Sequence, residues 1–175
     1  MSPGAGQGMV RAGRDGHEMA RTTPATLALQ RLGIGFELVS YAYEPGAERI
    51  GLQAAAAIGE DPARVLKTLI AQVDGQPVCL VLPSDCEASL KKVAAAFGGK
   101  AAAMMPGPDA ERMTGYKIGG ISPLGQKRRL PVLVEQAALA HPLVYVNGGQ
   151  RGLQLRLAPE DLLRAAQGRA TAIIA

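Results

Sequence analysis

The sequence predicts one mixed α/β domain: a mostly antiparallel mixed sheet or open barrel, with helices packed around it. Strand-like apolar runs alternate along the chain with helix-capping signals, as a mixed fold requires. Two turn sequences, Asp74-Gly75 and Asn147-Gly148-Gly149-Gln150, each join a pair of such runs into a hairpin. Hydrophobic residues make up 47% of the 175 and charged residues only 19%, so a core can form without disulfides or a structural metal.

The elements follow in order. Residues 1–21 are Gly, Arg and polar residues without periodicity, which predicts a disordered extension ahead of a domain over 22–175. Thr23-Pro24 opens a helix, with Thr as N-cap and Gly33 as its stop. Phe36 to Tyr43 alternates as a strand, and Leu52 to Ile58 is an alanine-rich helix closed by Gly59. Val65 to Val73 and Pro77 to Leu82 form the first hairpin. Ser84-x-x-Glu87 has the form of a capping box and predicts a helix through Phe97, ended by Gly98-Gly99. A strand is expected within Lys100 to Met105 and a short helix over Pro108 to Thr114. Strands at Pro131 to Val134, Leu143 to Val146 and Gly152 to Leu157 follow, and Ala158-Pro159-Glu160-Asp161 starts a last helix.

Composition excludes several function classes. Tryptophan is absent and aromatics are 3%, which argues against single-strand binding on stacked aromatic platforms. Cys79 sits in an apolar run and reads as an inert core thiol. Cys86 follows a turn, and no C-x-x-C pair supports a disulfide framework. No apolar run approaches the roughly 20 residues of a membrane span. The first residues lack the apolar middle of a signal peptide, so the expected setting is the reducing cytoplasm. Net charge is +4, and between Arg112 and Pro159 seven cations are opposed only by Glu135. Such a stretch draws a polyanion such as nucleic acid, or is simply a solvated basic surface.

Lys67 is the most informative residue for chemistry. On a strand it shares a face with Val65, Leu69, Ala71 and Val73, while Leu66 and Ile70 take the other. A strand apolar on both faces is a buried one, where an ammonium needs an anionic or polar partner. An edge strand whose lysine reaches water is the other reading, and alternation does not choose between them. Thr68 points the opposite way, a structural position on that pattern. The segment Gly115-Tyr116-Lys117-Ile118-Gly119-Gly120-Ile121-Ser122-Pro123 lets backbone approach a ligand, with N–H groups free for an oxyanion, or is an ordinary glycine-rich connection. It has neither a Walker A nor a G-x-G-x-x-G pattern. His17 falls in the extension and His141 precedes a proline, so a His-based triad or zinc site is poorly supplied. Cys86 and Ser122 lack an obvious base.

From Thr23 onward the chain resembles the YbaK proteins, relatives of the editing domain inserted in bacterial prolyl-tRNA synthetases. The matching segments are Thr23-Pro24-Ala25, Tyr41-x-Tyr43-x-Pro45, Val65-Leu66-Lys67-Thr68-Leu69 and Leu90-Lys91-Lys92-Val93-Ala94. The most specific runs from Thr114-Gly115-Tyr116 through Gly119-Gly120-Ile121-Ser122-Pro123-Leu124-Gly125 to Pro131. Tyr145-Val146-Asn147-Gly148-Gly149-x-Arg151-Gly152-Leu153 follows in register.

That resemblance implies a trans-editing aminoacyl-tRNA deacylase that removes cysteine mischarged on tRNA(Pro), and Cys-tRNA(Cys) as a further substrate. The scheme needs no cofactor and no metal: the cysteine thiol attacks its own ester carbonyl, forms a cyclic thioester and frees the tRNA. The family's lysine falls on Lys67 and its Gly-x-x-x-Pro loop on Gly119 to Pro123. By the same resemblance Tyr41 and Ile50 flank the aminoacyl group, and amides of Gly119 and Gly120 meet the carbonyl. Thr68, Ser122, Pro123, Asn147 and Gly148 complete the expected substrate site. Lys117, Lys127, Arg128, Arg129 and Arg151 are expected to carry acceptor-stem phosphates, with prolyl-tRNA synthetase as a partner that supplies tRNA identity. Two departures bear on specificity: Gln154 stands where YbaK has aspartate, and Asn147 where it has serine. Alanine or another small residue is therefore an alternative substrate. A non-catalytic module that binds tRNA or a protein is the alternative from another class.

Overall fold

The computed structural model describes residues 9–10, 22–45 and 50–175. The extension expected over 1–21 lies outside them except at its ninth and tenth residues, where Met9–Val10 form a short strand β1. Helix α1 (Pro24–Arg31) is capped by Thr23, whose hydroxyl accepts from the Thr26 amide while Thr26 reciprocates on the Thr23 N–H. Strand β2 (Glu37–Ser40) is shorter than the expected 36–43. Tyr41 N–H still bonds Gly152 O at 2.9 Å, and the chain then leaves the sheet. Helix α2 (Ile50–Ile58) leads to the hairpin β3 (Leu66–Val73) and β4 (Gln76–Pro83), paired from Leu66↔Pro83 to Val73↔Gln76. Its two-residue turn puts Asp74 at φ 50° and Gly75 at φ 81°, the left-handed pair that an Asp-Gly turn supplies.

The capping box read at Ser84 is a correction. Helix α3 runs Leu90–Ala96, and its N-cap is Ser89, whose Oγ accepts from the Lys92 amide at 3.2 Å. Long-range contacts override the local signal. Ser84 N–H bonds Val65 O at 3.0 Å, its hydroxyl donates to Pro62 O, and Ala88 bridges to Ile174, so residues 84–88 make a turn and a bridge and no helix. Strand β5 (Ala102–Met104), helix α4 (Gly107–Thr114) and strand β6 (Val132–Glu135) lie within a residue or two of their expected positions. A 3-10 turn, Gln136–Ala140, was not expected. Strands β7 (Val144–Asn147) and β8 (Leu153–Leu157) make the second hairpin, followed by helix α5 (Pro159–Ala166). A closing strand β9 (Arg169–Thr171), also unexpected, pairs parallel to β6.

Two sheets result, in the orders β1-β2-β8-β7 and β5-β3-β4-β6-β9. They meet at a bridge between Val65 and Tyr145 and do not close into a barrel. The main core fills the space between them, where Leu66, Ile70, Cys79 and Val81 face Leu38, Val146, Leu153 and Leu155. Alternate residues of β3 and β4 (Ala71, Val73, Leu80, Leu82) face outward beneath Val93 and Ala94 of α3. Helix α2 covers the junction of the sheets, with Ala54 and Ala55 packed on Val65 and Tyr145. Its first turn is thereby set beside the start of β3. Among the described residues no helix is long and apolar enough to cross a membrane.

Candidate active site

A cavity of about 470 Å³ opens where the start of β3, the first turn of α2, the Ser84–Glu87 turn, the 118–121 loop and the β7–β8 hairpin converge. That size suits a small ligand or the end of a larger one. Lys67, Tyr41, Ile50, Thr68, Gly119 and Asn147 all line it, so six of the ten residues expected to act on substrate are brought together.

Lys67 is half-buried on the face of β3 that the alternation gave it. Among the described residues no carboxylate lies within ion-pair reach of its ammonium and no hydrogen bond ties it. Its charge is felt at Cys86, where it draws the thiol pKa down against a net rise caused by burial and by Asp85. The amine is therefore near enough to the Ser84–Glu87 turn to act on Cys86. Gly51, which the sequence did not single out, makes this possible. A Cβ there would stand 2.9 Å from Ser84 Cβ and 3.5 Å from Lys67 Cβ, so only glycine lets α2 lie against both.

The floor is polar. The Tyr41 hydroxyl, Thr68 Oγ1 and Gln154 Oε1 are buried without a hydrogen-bond partner among the described residues. Burial pushes the Tyr41 pKa up; the nearby Gln154 side chain draws it partly back without being aligned as a hydrogen-bond partner. Gln154 is 4% exposed and lines the cavity, so the departure noted from YbaK falls inside the site. Asp85, Met105 and Ile121 are further wall residues that the sequence did not flag.

The remaining motif residues build the loop and do not face the cavity. Gly120 is buried against Arg151 N and Gln150 C, where an added Cβ would stand at 2.9 and 3.0 Å. Its N–H donates to Lys117 O at 2.8 Å. The expectation of two free amides at the diglycine is thus corrected at Gly120, and among the described residues the Gly119 N–H has no acceptor. Ser122 is fully buried, its Oγ accepting from Leu124 N and its carbonyl from Gln126. Pro123 is buried beside it. Gly148 accepts from Thr23 Oγ1 at 2.6 Å, and its own N–H bonds Leu153 O. Asn147 fixes both sides: Oδ1 accepts from Gly149 and Gln150 amides, and Nδ2 donates to Gly119 O at 3.1 Å.

The basic residues divide. Lys117 is exposed on the loop at the cavity mouth, near Glu111 at 3.9 Å. Arg151 donates from Nε to Ile118 O at 2.8 Å and stacks over the Tyr43 ring. Lys127 is exposed beyond α4. Arg128 and Arg129 instead line a second groove of about 450 Å³ with Phe97 and the Asp74 turn. That turn lies about 20 Å along β3 from Lys67 at the ordinary strand rise. Neither cysteine is set up to attack a substrate: complete burial pushes Cys79 up to about 12, and Cys86 is also raised.

Lys67 and Gly119 thus line one small cavity near the junction of the two sheets. The chain belongs to the aminoacyl-tRNA editing domain family, whose model matches residues 44–165. It is 37% identical over 116 residues to "Putative Cys-tRNA(Pro)/Cys-tRNA(Cys) deacylase EbsC" of Enterococcus faecalis (strain ATCC 700802 / V583), a match spanning 66% of this chain and 71% of that protein. It is 31% identical over 111 residues to "Uncharacterized protein YwhH" of Bacillus subtilis (strain 168), spanning 63% and 70%. The crystal structure of "a putative trans-editing enzyme for prolyl tRNA synthetase" superposes with a TM-score of 0.76 at 22% identity, covering 89% of this chain and 99% of that one. The resemblance read from the sequence is thus a family membership.

Proposed function

We propose that this protein releases cysteine from mischarged tRNA(Pro), acting in trans on the aminoacyl end. The observation that carries the reading is Lys67, without an ion-pair partner among the described residues, lining the same small cavity as Gly119. The lysine would hold the ester region or terminal adenosine, and the Gly119 amide would meet the developing oxyanion. Tyr41 and Ile50 would flank the aminoacyl group. The substrate's own thiol would attack its carbonyl. The C–S bond forms, the C–O bond to the 3′-oxygen breaks, and the thiol proton ends on that departing oxygen. Positioning and charge stabilisation are the protein's share.

Lys117 and Lys127 would meet acceptor-stem phosphates near the mouth, and Arg128 and Arg129 a more distant part of the stem. Selection of tRNA(Pro) would come from a partner such as prolyl-tRNA synthetase, since the exposed surface offers little to read bases. The neutral Gln154 in the wall makes alanine the competing substrate to test. A panel of Cys-, Ala-, Ser- and Pro-tRNA(Pro) checks the proposal by the rate of tRNA release. Cys-tRNA(Pro) should be released about tenfold faster or more than the others. Release of Ala-tRNA(Pro) as fast would move the specificity and remove the thiol step; no release above buffer would overturn the function.

A further inference from the structure

Resting on the deacylase reading, we infer that Arg151 is a positioning residue for the Gly119 amide and not a contact for tRNA phosphate. Three carbonyls of the 117–120 turn and one of its N–H groups are committed. Gly120 N–H donates to Lys117 O, and Gly119 O accepts from Asn147 Nδ2. Ile118 O accepts from Arg151 Nε at 2.8 Å. A trans peptide unit points its C=O and N–H in opposite directions. The Ile118–Gly119 unit, gripped at its oxygen by Arg151, therefore turns the Gly119 N–H away from Arg151, and Gly119 is the loop glycine that lines the cavity. No acceptor takes up that N–H among the described residues.

The grip is itself held. The Arg151 guanidinium lies 5.3 Å from the centre of the Tyr43 ring, in the range of a cation–π contact. The same ring closes over Gly119, where an added Cβ would stand 2.9 Å from the Tyr43 hydroxyl and 3.2 Å from Cε2. Gly119 has φ +87°, a conformation that glycine adopts freely. Arginine, ring and glycine so fix the plane of one peptide. A charged donor on the carbonyl also polarises the unit and strengthens its N–H as a donor, the direction an oxyanion requires. The loop would thus present one sharpened amide opposite Lys67 in place of a pair.

The test is steady-state deacylation of Cys-tRNA(Pro) by the wild type, Arg151→Met and Arg151→Lys, at two salt concentrations, with unfolding midpoints recorded. Removal of an oxyanion donor costs about 10²–10³ in kcat, so misplacing one should cost about 10-fold or more in both variants, with KM and its salt dependence unchanged. Lysine fails with methionine because an ammonium cannot reproduce the stacked, Nε-directed bond. A phosphate contact would instead raise KM, flatten its salt dependence and spare kcat, and that pattern overturns the inference, as does no change in either constant. The amide signal of Gly119 in a ¹⁵N spectrum of the free protein is an independent readout. It should move upfield in Arg151→Met; an unmoved signal overturns the positioning role whether or not the wild type deacylates this substrate. A wild type that releases no aminoacyl group, with the Gly119 signal moved as expected, defeats the deacylase reading and leaves the latch standing.

Discussion

Lys67→Ala should abolish release of cysteine from tRNA(Pro) while the protein stays folded. The ammonium is the charged group in the cavity wall that has no carboxylate partner among the described residues, so its work is left for the substrate. Removing one preorganised electrostatic donor from an active site lowers kcat by about 10²–10³, and a group that also positions the ester raises that loss. Stability should hardly change, within about 0.5 kcal/mol, because the side chain is half-exposed and satisfies no buried partner. Activity and thermal unfolding measured on one preparation separate the two effects. Full activity in Lys67→Ala would end the assignment.

Gly125→Ala should do the reverse, unfolding the protein more readily through a residue that touches no substrate. Gly125 has φ +65°, and a Cβ there would stand 2.4 Å from Pro24 O, 2.5 Å from Pro24 C and 2.9 Å from Ala25 N. Those atoms are the first turn of α1, which cannot step aside. Thr23 is bonded to Gly148 O, and Ala25 is fully buried. Left-handed strain of about 1 kcal/mol and an overpacking penalty of about 1–3 kcal/mol together predict a loss of about 2–4 kcal/mol. For a chain of this size that lowers the thermal midpoint by roughly 5–15 °C. An unchanged midpoint would mean that α1 is far less firmly docked than its contacts indicate.

Features set by nearby residues were the ones the sequence disclosed. Asp74-Gly75 needs only its own two left-handed residues to make a hairpin, and Thr23 needs only Thr26 to cap α1. Lys67 could be placed on the correct face of β3, since alternation is a local property, but whether that face was covered depended on α2. The false cap at Ser84 shows the limit from the other side. Its local pattern was sound, and contacts with Pro62, Val65 and the C-terminal segment overrode it. Arg169-Ala170-Thr171 carries no strand pattern and extends only because β6 offers an edge.

Within the site, the family motif pointed to a loop but not to where each of its residues would lie. Gly119 faces the cavity, whereas Gly120, Ser122, Pro123 and Gly148 are the packing that shapes it. Gly51 was not legible at all, because the reason for it lies in Ser84 and Lys67, far along the chain. Arg151 was legible as a charge, and charge suggested phosphate. Its bond to Ile118 O is visible only once the two loops are seen side by side.

The most direct test of the central claim is to titrate the isotope-labelled protein with a non-hydrolysable cysteinyl-adenosine in which an amide replaces the 3′-ester. Shifts should concentrate on Lys67, the Gly119 amide, Tyr41 and Gln154, around a single cavity. Shifts confined to Phe97, Arg128 and Arg129, with Lys67 and Gly119 unmoved, would place the aminoacyl end in the other groove and contradict the account.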